Sequence, residues 1–225
     1  MMLADKENNL ECIINSENLN FIIIEKTEYF EKFINDIYNQ ISKIDDTLIL
    51  YNDEFDVIDM NKHCDVIFSP RDIVFSQNNK INKKLISYLK EIIFDDEIDE
   101  RFIQNHSQLV NILDEVKDLS DYQFTFEDEY SLEQILKNNA VKLKEPTGNF
   151  LERLIEYIKI NRDFLDIDIF FIVGCKIYLN ESDYNHLRKW AMYQDIICIL
   201  VERDDIYIPK NSNKYILDRD ICIIH

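Results

Sequence analysis

Four carboxylates fall within seven positions of the stretch YQFTFEDEYSLEQIL: Glu127, Asp128, Glu129 and Glu133. Two kinds of chemistry suit them. Acidic side chains at the start of a helix oppose the positive end of its macrodipole, each worth about 0.3–1 kcal/mol. Ser131 supplies an N-cap there, with Gln134 at the capping-box distance. The other chemistry is cation binding. If the helix begins early enough, Glu129 and Glu133 share a face, where like charges repel unless a cation intervenes. Calcium takes roughly six to eight oxygens in a flexible shell, and a strand-to-helix corner with adjacent carboxylates and free carbonyls supplies much of one. Residue chemistry leaves both readings open, and the helix start is the simpler.

The densest basic group is Lys80, Lys83 and Lys84, with Lys90 beyond it. Taken by themselves, these lysines read as the solvated face opposite an apolar stripe. His63 and Cys64 are adjacent but lack the spaced partners of a zinc site, and read as ordinary structure.

Only two glycines occur, Gly148 and Gly174. Phosphate-cradling loops need several glycines so that backbone N–H groups can approach the anion, and neither G-x-x-x-x-G-K-[ST] nor G-x-G-x-x-G can be written. The same scarcity removes the G-x-S-x-G elbow and the glycine-turned calcium loop, and the four histidines form no HExxH. Glu202 ends the apolar run IICILVE, where a magnesium-associated acid of a nucleotide hydrolase would stand. With nothing to cradle phosphates, it reads as an acid at a strand end. The motifs thus point away from enzymatic activity.

The elements that must position these groups follow from apolar spacing. Asn20–Glu25 (NFIIIE) reads as a strand, followed by a helix N-capped by Thr27 and carrying Phe30, Phe33, Ile34, Ile37 and Ile41 inward. Leu48–Tyr51, Phe55–Asp59 and Asp65–Phe68 read as short strands, the first two joined as a hairpin. Between Pro70 and Pro146 there is no proline or glycine, which favours long helices. One carries Ile81, Leu85, Leu89 and Ile92. A second, after the acidic hinge FDDEIDE, carries Ile98, Phe102, Leu109, Ile112, Leu113 and Val116, and side-by-side packing is expected to bury both stripes. Tyr122, Phe124 and Phe126 alternate with polar residues as in a half-buried strand, and so do Val141 and Leu143.

After Gly148, helices marked by Leu151–Ile158 and Asn180–Trp190 alternate with the buried strands IDIFFIVG and IICILV, and YILDRDICIIH adds a final strand. This alternation predicts an α/β fold with a mostly parallel sheet covered on both faces. The expected organisation is a head in two parts, residues 1–70 and 146–225, completing one sheet, with a helical leg inserted at residues 71–145.

Composition fits a folded chain: 46% hydrophobic and 12% aromatic residues supply a core despite a formal charge of −19. A chain of this length buries roughly 70–75% of its unfolded surface. The five cysteines are odd in number, without CxxC, and Cys198 and Cys222 sit in apolar runs as small buried hydrophobes. No apolar run approaches the roughly 18–20 residues of a bilayer span, and MMLADKENNLECII lacks the basic start of a secretory signal, so a cytoplasmic protein with no membrane partner is expected.

The order of these features, FIIIE and its helix, IFSPRDIVFS, FTFEDEYSLEQILKNNAVKLKE, and IFFIVGCKIYLNESDYNHLRKW followed by IICILVERDD and KYILDRDICII, resembles the short form of the ring-forming Csn accessory protein of type II-A CRISPR systems. The resemblance spans nearly the whole chain. It implies an α/β head related in topology to P-loop NTPases but lacking the phosphate loop, an inserted helical leg, and no catalysis. It also implies a homotetrameric ring that holds double-stranded DNA ends during spacer acquisition, a requirement for Ca2+, and the CRISPR integrase complex and effector nuclease as partners. Under it, Glu127, Asp128, Glu129 and Glu133 become candidate metal ligands, and Lys80, Lys83 and Lys84 candidate DNA-binding residues. Because DNA affinity comes largely from neutralising phosphates, a chain this acidic must segregate its lysines toward the duplex. The high negative charge also suits a different class, an acidic DNA mimic or adaptor that binds a nucleic-acid-binding partner.

Overall fold

The computed structural model describes residues 1–225 except 7–9, 45–46, 97, 205–207, 211, 221 and 225. The chain divides into two compact units, Met1–Val74 with Glu145–His225, and Phe75–Lys144.

The first unit is built on strands β1 (Met2–Asp5), β2 (Leu10–Ile13), β3 (Leu19–Ile24), β4 (Leu48–Tyr51), β5 (Val57–Ile58) and β6 (Cys64–Ile67), then β7 (Ile169–Val173), β8 (Ile197–Glu202), β9 (Ser212–Leu217) and β10 (Ile223–Ile224). Its helices are α1 (Thr27–Ile41), the short α2 (Met60–His63), α6 (Phe150–Leu165) and α7 (Glu181–Gln194). The second unit contributes α3 (Asn79–Asp95), α4 (Asp99–Leu119) and α5 (Leu132–Asn138). Between α3 and α4, the acidic hinge includes Glu97, which lies outside the described residues.

Six strands form one sheet in the order β10-β9-β3-β8-β7-β6, parallel except for the antiparallel β10–β9 edge. The fold is therefore α/β with a mostly parallel sheet. Every residue of β3, β7 and β8 is buried, as expected of parallel strands covered on both faces. Alternation sorts their side chains. Ile22, Ile24, Phe171, Val173, Ile199 and Val201 pack in one core with Phe33 and Ile37 of α1. From the intervening positions, Phe21 meets Tyr184 of α7 edge-on, with ring centroids 5.7 Å apart.

A second sheet, β2-β1-β4-β5, is antiparallel throughout and sends Leu3, Leu10, Cys12, Leu48 and Leu50 into the same core as α1. The β4–β5 pairing gives the hairpin read from the sequence. The β1–β2 hairpin was not legible there, since four-residue strands with mixed polarity carry little period.

Helix ends follow capping chemistry. Asn180 and Asn149 close reciprocal capping boxes with Asp183 and Glu152. Thr27, by contrast, is the first helical residue rather than the cap, and Lys26 before it offers no side-chain bond. Cys198 is buried as expected, whereas Cys222 is exposed. Among the described residues, no helix is long and apolar enough to cross a membrane.

In the second unit, Ile86 and Ile93 of α3 pack with Leu132 and Leu136 of α5, and Ile98, Phe102, Tyr130 and Val141 join them. The expected burial of the whole α4 stripe is not found. No residue of α4 is buried, and Leu109, Ile112 and Val116 are 53%, 55% and 47% exposed. Nor do Tyr122–Phe126 or Val141–Leu143 form strands. Their alternation instead follows irregular backbone, in which the ring centroids of Phe124 and Phe126 lie 6.5 Å apart.

Candidate functional site

The lysine-rich end of α3 is held by Asn78, whose Oδ1 accepts the N–H groups of Lys80 at 3.0 Å and Ile81 at 3.2 Å. This cap satisfies two of the four free donors at the helix start. Ile81, Leu85 and Ile86 are buried, which leaves Lys80, Lys83 and Lys84 on the exposed side of the helix.

Across from α3, Ser131 caps α5 by accepting the N–H of Gln134 at 3.3 Å. Leu132 and Leu136 anchor the short helix in the apolar cluster, so Glu133 and Lys137 face outward. Lys137 Nζ donates to Glu133 Oε1 at 2.6 Å, and Lys90 Nζ lies 4.0 Å from Oε2. The hydrogen bond and charge of Lys137, followed by the charge of Lys90, hold the Glu133 carboxyl below the usual range.

The chain leaves α5 through Ala140, a non-glycine residue in the left-handed region at φ 50°. Its N–H reaches Lys137 O at 2.9 Å, and the N–H of Val141 reaches Leu136 O at 3.2 Å. This reversal returns Val141 and Lys142 toward α3. The result is a cleft of about 580 Å³ walled by α3, α5 and the segment after α5, on which Lys83, Lys90, Lys137 and Lys142 converge. Lys80 and Lys84 do not line it. Sequence reading missed Lys137 and Lys142 as members of a basic group, because only the packing of α5 on α3 brings them to Lys83.

The acidic residues gather less closely. Glu127, Asp128 and Glu129 are exposed on irregular backbone. His106 Nε2 donates to the carbonyl oxygen of Asp128 at 3.0 Å, and the Tyr130 hydroxyl donates to Asp99 Oδ1 at 2.7 Å, which pins this segment to α4. Desolvation and then Asp99 push the Tyr130 hydroxyl up to about 12. Among the described residues, no three His, Cys, Asp or Glu side chains form a group that could hold a metal ion. As placed within one chain, with Glu133 engaged by two lysines, the four candidate carboxylates do not fit a calcium shell.

In the first unit, Glu202 is 1% exposed at the end of β8. Its Oε1 accepts the N–H of Lys176 at 2.9 Å and the thiol of Cys175 at 3.3 Å, holding the 3-10 turn Cys175–Ile177. Burial raises its carboxyl above the usual range. These bonds give Glu202 a structural task that needs no nucleotide.

Comparison with known proteins places this geometry in context. The model of the family described as CRISPR-associated protein (Cas_Csn2) matches residues 40–221. The crystal structure of Stu0660 of Streptococcus thermophilus superposes with a TM-score of 0.65 at 11% identity, covering 100% of this chain and 76% of that one, a likeness of fold. No curated protein matches the chain by sequence.

Proposed function

Since the chain belongs to the Cas_Csn2 family of CRISPR-associated proteins, we propose that it is a non-catalytic ring protein that binds double-stranded DNA ends during spacer acquisition. The observation that carries the DNA contact is a local cluster of lysines. In a chain of formal charge −19, Lys80, Lys83 and Lys84 stand together on the solvent side of α3, opposite its buried stripe. Such a row can neutralise phosphates.

The exposed Leu109, Ile112 and Val116 on α4 support self-assembly, because apolar residues at helical spacing form a stripe that a second helix can cover. A homotetramer is the assembly proposed. Calcium is proposed as a requirement of that assembled state. Since the carboxylates at 127–133 do not gather within one chain, further donors must come from assembly or from rearrangement. The integrase complex and effector nuclease are the proposed protein partners.

The deciding experiment measures oligomeric mass in calcium and in chelator, then binding of linear and covalently closed duplex under both conditions. A tetramer that retains linear but not closed DNA, only in calcium, is expected. Failure to bind any duplex, with capture of a DNA-binding protein instead, would favour the acidic-mimic reading, which the net charge of −19 supports.

A further inference from the structure

We propose that the cleft between α3 and α5 is a binding site for a nucleoside phosphate. Its volume of about 580 Å³ lies within the roughly 300–1,000 Å³ of small-molecule sites. Four lysines, Lys83, Lys90, Lys137 and Lys142, converge on it against a single carboxylate, Glu133. That local excess of positive charge stands within a chain of formal charge −19. Confining like charges is unfavourable, and an anion of more than one charge relieves it. Glu133 now partly fills that role through Lys137 and Lys90, with its side chain 47% exposed.

One feature asks for more than inorganic phosphate. Ile86 and Val141 give the cleft an apolar wall, which suits the flat face of a base. Asn82, which also lines it, donates Nδ2 to Ser76 O at 3.1 Å and so ties the start of α3 to the preceding turn. The left-handed Ala140, just past the C-cap of α5, closes that helix in the usual way and returns Val141 and Lys142 to the cleft. Duplex DNA presents its phosphates on a broad convex surface, which reaches rim lysines but not the apolar wall.

The test uses the full chain, with ATP, AMP and inorganic phosphate titrated calorimetrically, and methyl NMR to locate the contact. ATP is expected to bind saturably at one per chain, more than tenfold tighter than inorganic phosphate, and to shift the methyls of Ile86 and Val141. Lys90→Gln and Lys142→Gln should each weaken ATP about tenfold, the size of one charge-assisted contact, with unchanged thermal unfolding. Glu133→Gln should tighten it severalfold by removing the competing anion. Absence of saturable ATP binding would overturn the proposal. So would inorganic phosphate binding as tightly as ATP, or methyl shifts elsewhere in the unsubstituted chain, a readout that needs no variant to fold. Linear duplex that shifts the same methyls would reassign the cleft to phosphodiesters. Lys80→Glu, which lies off the cleft, separates this proposal from the DNA reading: it should leave ATP binding intact, whatever happens to duplex.

Discussion

Glu202 accepts the backbone N–H of Lys176 across 2.9 Å, joining the end of β8 to the turn that follows β7. Burial raises the Glu202 carboxyl, so the folded chain keeps its proton over a pH window in which the unfolded chain has released it. This residue's contribution to stability is therefore most favourable below the ordinary glutamate value of about 4.3 and declines as pH rises through the raised one. Glu202→Gln retains an acceptor without the charge, and should gain on the wild type in urea midpoint between acid and neutral pH. Glu202→Ala leaves the Lys176 N–H unpaired and should cost about 1–3 kcal/mol. Equal losses in the two variants would refute the account.

Ala140 and Gly174 adopt similar left-handed conformations, at φ 50° and 62°. Only the first carries a Cβ, which costs roughly 1–2 kcal/mol in that region. Ala140→Gly should stabilise the chain by about 1 kcal/mol, offset in part by the freedom glycine gains when unfolded. Gly174→Ala should destabilise by a similar amount, from backbone conformation alone, since a Cβ there meets nothing within 4 Å. Denaturant midpoints at constant slope check both, and a stabilising Gly174→Ala would show the argument to be wrong.

What the sequence disclosed follows a physical division. Strands β3, β7 and β8 were legible because parallel strands buried on both faces are continuous apolar runs, and Ser131 and Asn180 were legible because capping is local. The β1–β2 hairpin was not, since its two strands are four residues each and of mixed polarity. Helix α4 had the right period but the wrong expected environment: periodicity shows that a face is apolar without showing what covers it. The cleft was invisible for the same reason. Lys83 and Glu133 were singled out separately, one as a phosphate contact and the other as a metal ligand. Nothing local in the sequence shows that α5 brings Lys137 and Lys142 to the same cavity.

The pairing of Glu133 with Lys137 makes a prediction independent of any ligand. A carboxylate held below its ordinary value contributes stability that is present above the unfolded value and is lost as pH falls through the folded one. The side chain is exposed, so the effect on unfolding should be slight. Its titration should still be visible: carboxyl NMR of Glu133 should report a low midpoint that rises in Lys137→Gln and less so in Lys90→Gln. A midpoint indifferent to Lys137 would mean that the ion pair does not persist in solution.

The α4 stripe tests the proposed assembly. Ile112 is 55% exposed between Leu109 and Val116, so Ile112→Lys removes no buried contact within the chain. Thermal unfolding of the isolated chain should be nearly unchanged, because substitutions at exposed positions usually fall within about ±0.5 kcal/mol. The oligomeric mass in light scattering should nevertheless drop toward the monomer. Retention of the full mass would exclude this stripe as the assembly surface.

The lysine row on α3 is tested most sharply by salt. Each phosphate contact to B-form DNA contributes about −0.9 to the slope of log affinity against log salt, because a condensed counterion is released when a lysine replaces it. Lys80→Gln and Lys84→Gln are the informative single variants, since both side chains are exposed and neither lines the cleft. If each touches one phosphate, each should weaken linear-duplex binding at moderate salt and flatten the slope by roughly one unit. The double variant should flatten it by about two, and fold and assembly should be unaffected, because no apolar contact is removed. A parallel loss of affinity at every salt concentration, with the slope unchanged, would instead mean that these lysines act through the protein's structure, and that the phosphates are held by other residues.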